Sequence, residues 1–368
     1  MIAASVFIQS LRASGVGFFA GVPDSLLSSF SAALAAAPPE QHLVAVNEGA
    51  ALGLAAGYHF ATGGLPLVYL QNSGLGNLVN PLTSLADPTV YSIPMLLLVG
   101  WRGEPGRPDE PQHTRMGAAT GPLLEALEVP LHYLHPTDGN WQETIRQAAA
   151  QALGESRPVA IVVARGVFEE LALPQQEDYP LSAASAIDIL CTGLSKGTRV
   201  VCSTGKIGRI FNEWNNGQEQ PLDALLNVGA MGHAGSIATA IALHSNGPVL
   251  VLDGDGALLM HLGALALSGS LGLDNLFYVV LNNGAHESVG RQPTLGFRTD
   301  FVCIAKACGF RFASRLTTAA DLHGWNRHGD ARGAFVEIRI NTHTPAKLSR
   351  PSEEPRLAGA RFRKSFEQ

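Results

Sequence analysis

The residues of this chain best suited to chemistry stand at the ends of apolar runs. One run ends in Gly254-Asp255-Gly256 and the next in Asn282-Asn283. Runs that are apolar throughout read as strands buried on both faces of a parallel sheet, and ligands of such sheets bind beyond the carboxyl ends of the strands. Asp255 and Asn283 would then offer a carboxylate and an amide oxygen side by side. Both are hard ligands suited to Mg2+, which takes few protein contacts and completes its octahedron with phosphate oxygens and water. Gly254 and Gly256 would let the backbone approach a phosphate with no Cβ in the way. Taken alone, Gly-Asp-Gly is equally an ordinary strand-end turn.

Glu48 is the one acid in the long small-residue stretch from Ala45 to Gly63. Burial there would raise its pKa and suit it to proton transfer. At the start of a helical pattern it would also serve as a plain N-terminal carboxylate favoured by the helix dipole. Gly229, Gly232 and Gly235, preceding another helical pattern, would allow backbone amides to approach a diphosphate at a helix N terminus.

Positioning these groups requires an alternation of strands and helices, and the sequence supplies two. In the first half, helices are expected at 3–13, 26–37 and 48–62, and strands at 16–22, 42–46, 66–71, 93–100 and 158–164. From Phe168 to Pro180 the text turns acidic and proline-punctuated, as linkers do. The alternation then resumes, with strands at 199–205, 225–229, 248–256, 275–283 and 334–340 and helices at 233–245 and 261–271. The fold class expected is α/β, in two domains, each a largely parallel sheet with helices on both faces. The domains are placed at 1–167 and 185–368, with a linker at 168–184.

Composition narrows the function classes. A chain of 368 residues is long enough for two cores of ordinary size. With a net charge of −6 and no block of lysines or arginines, it carries neither a nucleic-acid footprint nor a polybasic membrane patch. Charged residues are only 15% of the total, which points to surface covered by other subunits and hence to an oligomer. The four cysteines show no CxxC spacing, so buried thiols are expected. The apolar run Met95–Val99 is far too short to span a bilayer, and residues 1–10 do not read as a leader. A cytoplasmic small-molecule enzyme is the expectation.

Gly254-Asp255-Gly256, then 26 residues, then Asn283 is similar to the thiamine diphosphate motif. A dinucleotide reading would need Ser73-Gly74-Leu75-Gly76 to continue as GxGxxG, which it does not. The resemblance implies that Asp255, Asn283 and the carbonyl of Ala285 hold Mg2+ and with it the cofactor's diphosphate. It implies that Glu48, from a neighbouring subunit, bonds to the aminopyrimidine, the two domains being the pyrimidine-binding and diphosphate-binding folds. It also places Met231 beneath the bent cofactor, a position where a methionine would equally fill a gap in the core.

The segments GVPDS (21–25), QNSGLGN (71–77), GWRGEPGRPDEPQH (100–113), STGKIGR (203–209) and NNGAHESVGRQPT (282–294) resemble the phosphonopyruvate decarboxylase family, with sulfopyruvate decarboxylase as its near relative. The implied reaction is non-oxidative loss of CO2 from a 3-substituted pyruvate, in phosphonate biosynthesis if the substituent is a phosphonate. Asp24 and His113, on loops at strand ends, are the candidates for handling protons; Asp24 would also cap a helix starting at Ser25. Ser25, Arg102, Lys206, Arg291 and Arg350 are candidates for the anionic tail, each also a reasonable surface or inter-subunit group. Arg291 departs from the family pattern, which has glycine there. Phosphonate and sulfonate tails stay unseparated, as do a non-catalytic thiamine-fold subunit and a nicotinamide oxidoreductase as rivals.

Overall fold

The computed structural model describes residues 1–171, 178–327, 333–345 and 348–367. The chain divides into two compact units, Met1–Leu173 with Ser288–Gln292, and Pro174–Glu287 with Pro293–Gln368. Of the expected linker at 168–184, residues 172–177 lie outside the described residues. On one side of them Phe168 packs edge-on against Phe7 in the first core. On the other, Leu181 belongs to the second core, ahead of a helix at Ala183–Thr192.

The first unit holds strands β1 (Val16–Gly21), β2 (His42–Val44), β3 (Leu65–Gln71), β4 (Met95–Gly100), β5 (Leu131–Leu134) and β6 (Pro158–Val163). They form one parallel sheet in the order β2-β1-β3-β4-β6-β5. Every residue of β4 and β6 is buried, as central strands covered on both faces require. Successive side chains alternate between two cores. Leu96 and Leu98 join Phe7, Phe19 and Phe30 under helices α1 (Ala4–Ala13) and α2 (Ser28–Leu34). Leu97 and Val99 face α3 (Glu48–Thr62), α4 (Leu75–Pro81) and α5 (Pro111–Ala126) instead. Helix α6 (Trp141–Glu155) returns to the first face through Ile145 and Ala148.

In the second unit β7 (Arg199–Cys202), β8 (Asp223–Leu226), β9 (Val249–Gly254), β10 (Leu276–Asn282), β11 (Phe312–Leu316) and β12 (Ala334–Arg339) give a second parallel sheet, ordered β11-β12-β10-β9-β7-β8. Helices at Ala183–Thr192 and Lys206–Asn216 cover one face, filling it with Ile187, Leu190 and Phe211. Helices at Ala234–Leu243, Ala264–Ser270 and Phe301–Ala307 cover the other. In the first sheet the strand order reverses between β1 and β3, and in the second between β7 and β9, the places where open parallel sheets bind ligands.

Several boundaries differ from the sequence reading. The edge strands β5 and β11 were not expected, because each is short and partly exposed and so lacks an unbroken apolar run. The helix expected at 26–37 spans only Ser28–Leu34, so Asp24 does not cap a helix starting at Ser25. The helix expected at 261–271 spans only Ala264–Ser270, and the strand expected at 248–256 ends at Gly254, where an unexpected short helix, Asp255–Met260, begins. Among the described residues no helix is long and apolar enough to cross a membrane.

Candidate active site

Strand ends arrange the candidates of the first unit. Asp24 follows β1, Glu48 follows β2, Asn72 follows β3 and Arg102 follows β4, all at the carboxyl edge of one sheet. Asn47 caps α3, its Oδ1 accepting from Ala50 N–H at 2.8 Å, which fixes where the helix starts and sets Glu48 in its first turn. The Glu48 side chain is buried, and desolvation raises its pKa against the opposing hydrogen bond from Asn77. That bond, from Nδ2 to Oε2, measures 2.6 Å. Gly74 lies so close that a Cβ there would stand 2.2 Å from Glu48 Oε1.

Asp24 is wholly buried, with Oδ2 accepting from Leu26 N–H and Oδ1 left without a hydrogen-bond partner among the described residues. Burial pushes its pKa up to about 6, against the pull of Arg102. His113 sits in the first turn of α5 rather than on a loop, because Pro111 opens the helix at a position where its missing N–H costs nothing. Burial, and then the nearby Arg102, lower its pKa. One guanidinium thus acts on both proton-handling candidates. Arg102 itself is held by a bidentate pair with Asp109, at 2.8 and 2.6 Å, and donates to Ser25 Oγ at 2.9 Å. Asn72 fixes the same loop by donating to Arg102 O and accepting from Arg102 N–H.

Asp24 carries a pH signature. Its folded pKa is raised, so the folded state keeps a proton that the unfolded chain has lost, and stability falls as pH rises from about 4 to about 6. Asp24→Asn is therefore expected to match wild type below pH 4 and to exceed it by up to about 3 kcal/mol above pH 6. Denaturant unfolding of the cofactor-free protein at both pH values measures this, and a pH-independent difference would contradict it.

In the second unit β9 and β10 pair with Leu281 opposite Gly254, so Asp255 and the Asn282-Asn283 step leave the sheet together. The Asp255 carboxylate accepts from the Thr294 hydroxyl and from the backbone N–H of Asn283. Burial pushes its pKa up to about 7, against the hydrogen bond from Thr294. The two asparagines divide the work. Asn282 donates to Glu337 Oε1 and to Gly296 O, both at 2.9 Å, and Glu337 also accepts from Arg315 and Arg339. Asn283 Oδ1 accepts from Ala285 N–H, while its Nδ2 donates to Glu287 Oε2 at 3.0 Å.

Glu287 ties that loop to the end of β7 through Lys206, whose Nζ stands 2.9 Å from Oε1. Gly254 has Ile207 Cδ1 3.1 Å from where its Cβ would be, and Gly256 faces the His286 ring at 2.7 Å. Gly229 is exposed, Met231 is half-buried, and Gly232 has a φ of +83°, with His261 Cδ2 2.6 Å from its missing Cβ. Gly235 lies inside the helix Ala234–Leu243 rather than ahead of it. Arg291 adopts a φ of +61°, a conformation that costs a non-glycine residue about 1 kcal/mol and accounts for the glycine expected there. Arg350 is exposed.

Asn77, Asp109, Glu287 and Thr294 were missed as site residues. All four lie inside segments quoted above, but nothing in their spacing tells which group each would meet.

Both units match known proteins. The family model described as "Thiamine pyrophosphate enzyme, N-terminal TPP binding domain" matches residues 1–120, and its C-terminal counterpart matches residues 200–328. A phosphonopyruvate decarboxylase of Streptomyces viridochromogenes is 33% identical over 99% of this chain and 94% of its own length. The chain belongs to the phosphonopyruvate decarboxylase family of thiamine pyrophosphate enzymes. A second member of that family, from Streptomyces hygroscopicus, is also 33% identical over 99% of the chain and 94% of its own. A sulfopyruvate decarboxylase of Methanosarcina acetivorans is 27% identical, covering 84% of each chain. Members of the family bind thiamine pyrophosphate with both domain types, and the two sheets described above are those two domains.

Proposed function

We propose that this chain decarboxylates 3-phosphonopyruvate to phosphonoacetaldehyde and CO2 with thiamine diphosphate and Mg2+, in the cytoplasm and in phosphonate biosynthesis. The observation that carries this reading is 33% identity to phosphonopyruvate decarboxylases across 99% of the chain. The sulfonate substrate is the second reading, favoured by the more distant sulfopyruvate decarboxylase.

The residues fit a magnesium diphosphate. Asp255, the Asn283 amide and the Ala285 carbonyl are hard oxygen donors with one carboxylate among them, which suits Mg2+ completed by phosphate oxygens. Burial leaves the Asp255 carboxylate in want of a cation. Among the described residues no cluster of three His, Cys, Asp or Glu offers a rival metal site. Gly229, Gly232, Gly254 and Gly256 would keep backbone near a diphosphate clear of side chains, and Met231 would pack against the cofactor.

Bound thiamine diphosphate supplies the electron sink for departure of CO2. Glu48, desolvated, holds a proton at the aminopyrimidine nitrogen. Asp24 and His113, both shifted toward neutrality, deliver the proton that replaces CO2 on carbon. Arg102, oriented by Asp109 and Ser25, is the first choice for the anionic tail, with Lys206, Arg291 and Arg350 as weaker ones.

The working unit is a homodimer or larger, with Glu48 lent to a neighbouring protomer's cofactor. Exposed Leu54, Phe60, Val90 and Tyr91 in the first unit give apolar surface for such a contact. Offering phosphonopyruvate, sulfopyruvate and pyruvate in parallel and measuring aldehyde tests the proposal. Phosphonopyruvate should lead in kcat/KM by at least about tenfold; preference for sulfopyruvate would reassign the substrate, and inactivity on all three would refute the reading.

A further inference from the structure

Helix α4 carries a side chain that the chemistry above leaves unused. Asn77 Nδ2 reaches Glu48 Oε2 at 2.6 Å, joining the first turn of α3 to α4 across the carboxyl edge of the sheet. The two helices pack on the same face through Ala51, Leu52, Leu75 and Leu78, and a Cβ on Gly49 would stand 3.2 Å from Asn77 O. The backbone at Asn77 is therefore fixed relative to Glu48. The other carboxyl oxygen, Oε1, lies against Gly74, where any side chain would collide with it. The two oxygens of one carboxyl group are thereby made unequal, one held by Asn77 and the other packed against Gly74 with no side chain between.

We propose that Asn77 is a positioning residue for Glu48, holding Oε2 so that Oε1 is the oxygen that exchanges a proton with the cofactor. The inference rests on the reading of Glu48 as the catalytic acid. A general need to satisfy a buried polar atom does not explain the choice of residue, since Asn77 is itself exposed and its carboxamide would be hydrated without Glu48. The influences on the Glu48 carboxyl are burial, Asn77 and its own backbone amide, with no charged side chain among them. That makes Asn77 the one neighbour whose removal should tune it directly. Its exposure also means that its truncation removes no core packing, so the variant should fold.

The test is a double-mutant cycle on the full-length protein with thiamine diphosphate and Mg2+, using Asn77→Ala, Glu48→Gln and both together, with phosphonopyruvate as probe. A positioning role predicts that Asn77→Ala lowers kcat about 10- to 30-fold with KM within about twofold, and that it costs nothing further once Glu48 is glutamine. A second readout needs no cofactor: carboxyl 13C NMR of the cofactor-free protein should show Glu48 titrating about one pH unit higher in Asn77→Ala, because a donor to the ionised form is gone. Losses that multiply in the double variant, or an unmoved Glu48 titration, would overturn the assignment of Asn77. Full activity of Glu48→Gln would instead overturn the role of Glu48, and the titration would still report whether Asn77 acts on its carboxyl group.

Discussion

Glu48→Gln is expected to lower kcat by about a thousandfold while leaving thiamine diphosphate affinity within a few-fold of wild type. Glutamine keeps the shape of the side chain and a carbonyl oxygen for Asn77, but it has no proton to give or take at the pH of the reaction. The carboxyl group is buried in the first turn of α3, and desolvation raises its pKa, which favours the neutral form relative to a free glutamate. General acid–base catalysis of this kind contributes about 10²- to 10⁴-fold, and the expected loss lies in the middle of that range. Single-turnover CO2 release, with cofactor binding followed separately by calorimetry, checks both halves of the expectation. Unchanged CO2 release would remove Glu48 from the chemistry, and a large loss of binding with normal kcat would make it a cofactor contact only.

Asp255→Ala should fail at an earlier step, weakening Mg2+ and thiamine diphosphate together by about a hundredfold or more. The two ligands would fall together because the proposed Mg2+ would join these residues to the diphosphate. Asp255 is the only carboxylate in the proposed set, whereas Asn283 and the Ala285 carbonyl are neutral donors. The cofactor-free protein should respond in the opposite sense. With its pKa pushed up to about 7, Asp255 destabilises the fold as pH rises from about 4 toward 7, so removing the charge relieves that cost above pH 7. Calorimetric titration with Mg2+ and cofactor, alongside denaturant unfolding at pH 8 without either, separates the two effects. Unaltered cofactor affinity would rule out the metal site at the ends of β9 and β10.

Much of the fold was legible in the sequence because its signals are local and repeated. Unbroken apolar runs such as those of β4, β6, β9 and β10 can only be buried strands, and the small-residue stretch after Asn47 reads as a helix packed close on a sheet. Where the signal was weak the reading failed, as at β5 and β11 on the sheet edges, and at α5, whose prolines and glycines hide its helical period. That is why His113 was read as a loop residue.

By itself the sequence singled out the candidates for chemistry: Asp255 and Asn283 from their spacing and types, Glu48 as an acid among small apolar neighbours. It could not determine how those groups are held. The parallel register sends Asp255 and Asn283 out of the sheet together, the Arg102 clamp by Asp109 near Asp24 closes the loop after β4, and the Asn77 bond to Glu48 joins segments far apart in the chain. So does the pair Lys206–Glu287. Hydrogen bonds and desolvation depend on distances between segments far apart in the chain, and only packing the sheets and helices fixes those distances.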